Sequence, residues 1–261
     1  MTAAPTVDRR FYAWEVGIVL ALSLGRSAVY AVLQLAERLS IAPLADQTAT
    51  VQRSRSRDEF YDFSFQVLDS LFALAPVVLV LYLVFLHGGN PFRRWGLDFR
   101  RAGQDWAWGA GLFALIGLGT LGVYLAGRSL GLTAQIIPAD VTEYWWSTPV
   151  LLLAALRHSL LEEIIMIAYL FDRARRIWPQ LTDSPAAVAV LVFATALLRG
   201  AYHLYQGFGP GLGNALMGVI FAAVYLKYGR VMPLVIAHFL LDAVAFLAFP
   251  LVLQVFGLSS V

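Results

Sequence analysis

The chain has 261 residues, of which 59% are hydrophobic and 14% charged, with a formal net charge of +2 and a mean hydropathy of +0.70. That balance excludes an ordinary soluble domain, in which about a quarter of the residues are charged. The absence of cysteine excludes disulfides, a thiol nucleophile and thiolate metal sites, and basic residues scattered among short loops suit an anionic lipid surface better than nucleic acid.

Apolar runs long enough to cross a hydrocarbon core, about 20 residues, recur at roughly 11–36, 65–86, 106–127, 149–171, 185–206, 210–228 and 231–257. Because a backbone in lipid must satisfy its own hydrogen bonds, the expected fold is all-α: a polytopic transmembrane helix bundle of about seven spans, with eight as the alternative. The first run is too long for a signal-peptide core and lacks a cleavage site, so no cleavable signal is expected. Glu15 in that run and Asp69 in the second stand near span ends and are expected to reach headgroups. Two stretches read as non-transmembrane: the polar loop Glu37 to Asp62, and "SLGLTAQIIPADVTEYWW" (129–146), expected along the outer interface with Trp145 and Trp146 as an aromatic belt. Counting Arg9, Arg10, Arg93, Arg94, Arg100, Arg101, Arg173, Arg175, Arg176, Lys227 and Arg230 against Arg38, Arg53, Arg55, Arg57 and Arg128 places the N-terminus in the cytoplasm and the protein in the plasma membrane. The chain divides into a three-span region, 1–148, and a four-span core, 149–261, within one membrane domain.

The fourth run contains "LLEEIIMIAYLFDRAR", Leu160 to Arg175, with Glu162 and Glu163 side by side deep in apolar sequence. On a helix they point about 100° apart, so one carboxylate can face a cavity while the other meets a neighbouring helix. The fifth run ends in "LLRGAYHLYQGFG", with Arg199 and His203 on one helix face, and the last holds "VMPLVIAHFLLDAVAF", with His238 and Asp242 in the same relation. His158 stands four residues before Glu162. Arg26 and Arg157 also fall inside runs. Ionisable residues at bilayer depth are expensive, about 2.5 to 3.5 kcal/mol each on insertion scales, so three helices each offering such a site point to a shared polar cavity.

An adjacent Glu pair, a His ending the next span and an HxxxN-like motif on a later one resemble the CAAX-processing and bacteriocin-processing (CPBP) family of intramembrane proteases, to which the Ras-converting CAAX endopeptidase belongs. The resemblance covers roughly Leu151 to Leu247. Its motifs EExxxR, FxxxH and HxxxN or HxxxD fall here on Glu162 and Glu163, on His203, and on His238 with Asp242. Two positions depart from it: the arginine is Ile167 and the phenylalanine is Arg199. Arg199, one turn before His203, is expected to supply the missing positive charge to Glu163.

The resemblance implies an endopeptidase acting on a membrane-embedded or lipid-anchored substrate. Glu162 would be the general base, His203 would hold the water, and His238 would lie with Asp242 beside the oxyanion, Asp242 being protonated or fixing the imidazole tautomer. His158 would orient Glu162 or extend a metal site. No cofactor is expected; zinc held by Glu162, His203 and His238 is the alternative. A seven-span layout leaves His203 and His238 at different depths, and the glycine-rich "QGFGPGLGN", 206–214, is expected to dip into the bundle as a re-entrant turn that brings them together. Two further classes stay open: a non-catalytic scaffold or immunity-type protein with structural ion pairs, and a proton-coupled transporter. Cleavage lost on Glu162→Gln, or coupled ion uptake in liposomes, separates them.

Overall fold

The computed structural model describes residues 8–182 and 184–255. In chain order its helices are α1 (Arg9–Leu22), α2 (Leu24–Ile41), α3 (Glu59–Ala73), α4 (Ala75–Leu86), α5 (Pro91–Arg94), α6 (Ala102–Ser129), α7 (Ser147–Glu162), α8 (Leu170–Ile177), α9 (Pro185–Ala201), α10 (Phe208–Tyr228) and α11 (Met232–Val255). Two strands, β1 (Thr48–Arg53) and β2 (Gln135–Asp140), interrupt the helical series.

Each of the seven apolar runs is largely helical, although the last two residues expected in the final run lie outside the described residues. By length and composition, four helical stretches suffice to cross a membrane: 59–86, α6, α10 and Met232–Phe249 of α11. A fifth is reached if α1 and α2, bent by 49°, count as one. The expected seven is therefore reduced on this measure, for two reasons. Helix α9 has 17 residues, about 26 Å at 1.5 Å per residue against a core of about 30 Å. The helical stretch from Ser147 onward carries Arg157, Glu162 and Glu163 at its centre.

The bend between α1 and α2 has a local cause. Ser23 leaves helical geometry, and its hydroxyl donates back to Val19 O at 2.6 Å, a bond that competes with the backbone ladder. A Cβ on Gly25 would lie 2.7 Å from Leu20 O, so the tight joint requires glycine there. At the next chain reversal Asp58 accepts from Tyr61 N at 3.1 Å and starts α3.

The α2-to-α3, α6-to-α7 and α9-to-α10 connections meet at one end of the bundle. There β1 pairs parallel with β2, Thr50 opposite Ile137, and Thr133 forms an antiparallel bridge with Gly207. Arg128 ties the end together by donating to Ala45 O at 2.9 Å and Thr133 O at 3.0 Å. The loop Glu37 to Asp62 and the 129–146 stretch are thus paired with each other as strands, a long-range contact that helix-period patterning does not reveal. The expected aromatic belt splits as well: Trp145 is 84% exposed, whereas Trp146 is buried, stacked on Tyr144 and donating to Glu59 Oε1.

At the opposite end Glu15 does not reach outward. It accepts from Arg173 Nε at 2.6 Å and Tyr169 Oη at 3.0 Å. Asp69 is half exposed and pairs with Arg55 at 2.9 Å. The central core draws on both halves of the chain, with Val19, Val80, Ile164, Phe221 and Leu234 essentially inaccessible.

Candidate active site

Helices α7 and α8 are continuous through a π-helical turn, Glu163–Tyr169, all seven residues of which are buried. A π turn inside an α-helix re-aims side chains and concentrates at functional sites; here it begins at the acid pair. Glu162 lines a cavity of about 590 Å³, while Glu163, fully inaccessible, turns to α9 and α11. That is the division expected of adjacent helical carboxylates.

Arg199 of α9 binds Glu163 through both terminal nitrogens, Nη1 to Oε2 at 3.1 Å and Nη2 to Oε1 at 2.5 Å. Nη2 also lies 3.2 Å from Glu162 Oε2. The planar fork suits a bidentate carboxylate, and it stands where Ile167, buried in the π turn, offers no charge. His238 of α11 donates from Nδ1 to Glu163 Oε1 at 2.6 Å, which leaves Nε2 turned to the cavity side, 3.8 Å from Asp242 Oδ1.

Two expected relationships are corrected here. The His238 ring is held at Nδ1 by Glu163, and Asp242 stands 3.8 Å from its Nε2, beyond hydrogen-bond distance. His158 does not orient Glu162; its Nδ1 meets Asp242 Oδ2 at 2.9 Å, and Arg157 contacts its other ring nitrogen. The register explains the second: Asp242 and His158 face each other across the α7–α11 contact, while Glu162, one turn beyond His158, points to α9.

Residues 206–214 do not form a re-entrant turn. The chain reverses over Tyr202–Gly207, and Phe208 to Asn214 are already the first turns of α10. Pro210 is tolerated in the first turn because no helical partner awaits its missing N–H. Gly207 has φ +113°, and a Cβ there would lie 2.8 Å from Leu132 O. A Cβ on Gly200 would lie 2.7 Å from Gly211 O, so close passage of α9 over α10 depends on it. The long side chain of Arg199 contacts His238 as well as both acids.

His203 follows α9 in this reversal. Its Nε2 is 3.9 Å from Glu162 Oε2, and neither ring nitrogen has a hydrogen-bond partner among the described residues. Sequence reasoning missed Tyr202, whose hydroxyl donates to Glu162 Oε2 at 2.7 Å and whose ring is buried beside His203. Its position next to a motif histidine was the available signal. The cavity wall thus gathers Glu162, His203, His238, Asp242 and His158, with Asn214 and Tyr205 at its edge and apolar residues of α6 and α11 opposite.

Donor atoms of Glu162, Glu163 and His238 lie within 4.8 Å of one another, close enough to share a metal ion. This differs from the expected zinc set in exchanging His203 for Glu163. The fit is poor in charge: the guanidinium of Arg199 already takes both Glu163 oxygens and stands 3.2 Å from Glu162, so a divalent cation among these donors would face a fixed positive charge.

No curated protein and no solved structure matches this chain. Residues 144–244 match the family model described as Type II CAAX prenyl endopeptidase Rce1-like. That segment contains Glu162, Glu163, His203, His238 and Asp242, and the match supports a likeness to the CAAX-protease family of membrane peptide hydrolases.

Proposed function

We propose that the protein is an intramembrane endopeptidase that cleaves a peptide bond of a membrane-embedded or lipid-anchored substrate with a water activated by Glu162. The observation that carries this is the pairing of Glu162 Oε2 with an otherwise unpartnered His203 Nε2, 3.9 Å apart on the wall of an apolar cavity. One oxygen atom can lie at hydrogen-bond distance from both. Glu162 takes a proton from the bound water, the hydroxide attacks the scissile carbonyl, and the same proton passes to the leaving nitrogen as the C–N bond breaks. His238, its Nδ1 anchored on Glu163, donates from Nε2 to the oxyanion in its imidazolium form. Glu163 and Arg199 are positioning residues, and His158 holds Asp242 at the cavity edge.

The bundle sits in the plasma membrane with its arginine-rich end, at the start of α1 and α6, in the cytoplasm. Seven helical passages are supported by the helicity of all seven apolar runs, with α9 and the α7–α8 helix as the polar or short interior members. The mechanism is metal-independent, supported by the guanidinium at the centre of the acid pair. A lipid-anchored reporter peptide added to the detergent-purified protein tests this: cleavage is expected to persist under strong chelation and to vanish in Glu162→Gln. Chelation-sensitive cleavage restored by zinc would overturn the metal-free mechanism, and coupled ion uptake without cleavage would select a transporter.

A further inference from the structure

Among the described residues, the wall of the cavity holds two carboxylates, Glu162 and Asp242, and neither lysine nor arginine. Glu162 is already engaged by Tyr202 Oη at 2.7 Å and Arg199 Nη2 at 3.2 Å. Asp242 is engaged through one oxygen. Its Oδ2 meets His158 Nδ1 at 2.9 Å, and Arg157 Nη2 contacts the other nitrogen of that ring, Nε2. A guanidinium can only donate, so Nε2 accepts, the imidazole proton stands on Nδ1, and Asp242 Oδ2 receives it as a hydrogen bond from a neutral ring. Oδ1 accepts no hydrogen bond from the described residues, and His238 Nε2 stands 3.8 Å from it. The Asp242 side chain keeps 24% of its surface accessible and lines the cavity.

The same face of α11 is aromatic. Phe246 and Phe249 follow Asp242 by one and two turns and line the cavity with it. Phe246 meets the His158 ring in a T-shaped contact at 5.9 Å, and Phe249 lies beside Tyr124 of α6, ring centroids 6.0 Å apart. A carboxylate oxygen without a donor in an apolar space is costly until a charged partner arrives. The complementary ligand has a hydrocarbon stem and a cationic head, which is the shape of a lysine or arginine side chain, and aromatic faces attract such a head further. An anionic side chain would be repelled there. Resting on the peptidase reading, we infer that Asp242, with Phe246, Phe249 and Tyr124, forms a subsite for one basic side chain of the substrate. Because Asp242 Oδ1 is 3.8 Å from the oxyanion donor His238 Nε2, that side chain belongs to a residue at or next to the scissile bond.

The test uses the full chain in detergent and a lipid-anchored, fluorescently labelled reporter peptide in which lysine or norleucine, its uncharged aliphatic counterpart, is placed at each position in turn. Lysine is expected to raise kcat/KM about tenfold over norleucine at one position beside the cleaved bond, a gain on the scale of one charge-assisted hydrogen bond, and arginine is expected to act as lysine does. Asp242→Asn is expected to erase that ratio, whatever it does to the overall rate. The scan itself needs no variant, so it decides even where Asp242→Asn fails to fold. Equal kcat/KM for lysine and norleucine at every position, or a lysine preference that survives in Asp242→Asn, would overturn the subsite. Where no reporter is cleaved, binding of the same peptides is read by anisotropy. A tenfold lysine preference in Kd that is lost in Asp242→Asn would keep the subsite and reject the peptidase reading; equal binding would reject the subsite as well.

Discussion

Two of the clusters of buried acids and arginines among the described residues are bonded to different degrees. At the arginine-rich end, Arg173 is fully inaccessible and saturated: it reaches Glu15 at 2.6 Å, Asp172 at 2.8 Å and His87 at 3.4 Å. Asp172 in turn takes Arg94 at 2.5 Å. In the other cluster, Glu163, Arg199 and His238 are bonded to one another, with Arg199 Nε left over, and Glu162 and His203 beside them keep capacity to spare and face a cavity. Buried polar groups are normally satisfied, so the partly open cluster is the one that asks for a functional explanation. The lesson is that intramembrane charge alone does not mark a site; charge with an unpaired neighbour and a cavity does.

Breaking the knot beneath the site should have the largest effect. Arg199→Ala leaves two carboxylates uncompensated, and removing one member of a buried pair commonly costs about 3 to 5 kcal/mol. Both the unfolding midpoint and cleavage of the reporter peptide are expected to fall. Adding Ile167→Arg is expected to restore part of each, since that position lies one turn beyond Glu163. A harmless Arg199→Ala would return the arginine to a lining role.

Arg173→Ala, in the saturated cluster, is expected to cost a similar ~3 to 5 kcal/mol of stability while turnover per folded molecule stays unchanged. Loss of turnover in the folded fraction would erase the contrast between the clusters. A smaller and opposite pattern is expected of Tyr202→Phe. It removes one hydrogen bond to a carboxylate, about 1.5 to 3 kcal/mol, and should appear as roughly tenfold or greater loss of turnover with binding of the reporter little altered.

The smallest effect concerns pH. Arg230, in the loop before α11, donates to Asp105 at 2.7 Å and to Asp98 at 3.0 Å. Burial works against the charge on Asp98, but the Arg230 guanidinium and the Arg100 N–H hold its carboxyl below the usual value of 3.8. A depressed carboxyl contributes stability above its unfolded pKa and loses it as pH falls through the folded one. Asp98→Asn is therefore expected to flatten the acid limb of the stability profile below about pH 4, with turnover at neutral pH unaffected; an unchanged acid limb would show the pair to be inert.

Much of this was legible in the sequence. The apolar runs gave the helices because a 20-residue hydrocarbon crossing leaves a strong one-dimensional signal. Glu162, Glu163, His203 and His238 could be singled out because charge at depth is rare. The Arg199 to Glu163 pair followed from a missing charge at Ile167 and a surplus one on the next helix. What stayed hidden depended on contacts distant in sequence. The pairing of β1 with β2 joins residues 87 apart in register, and neither six-residue stretch carries a clean alternation. The π turn rephases α7 against α8 without any glycine or proline to announce it. His158 was assigned to Glu162 by its spacing on one helix, whereas Asp242, across the helix interface, won its hydrogen bond. The glycine-rich stretch misled because glycine and proline at a helix start look like those of a turn.

The central claim, that the open cluster performs hydrolysis and the closed ones hold the fold, is tested most directly by Glu162→Gln. Turnover of a lipid-anchored reporter peptide and the thermal unfolding midpoint are to be measured on the same preparation. Loss of the general base is expected to cut turnover roughly 10²–10⁴-fold, with the midpoint close to that of the parent because Arg199 retains Glu163. Turnover at the parent rate, or loss of activity only in proportion to lost folded protein, would contradict the account.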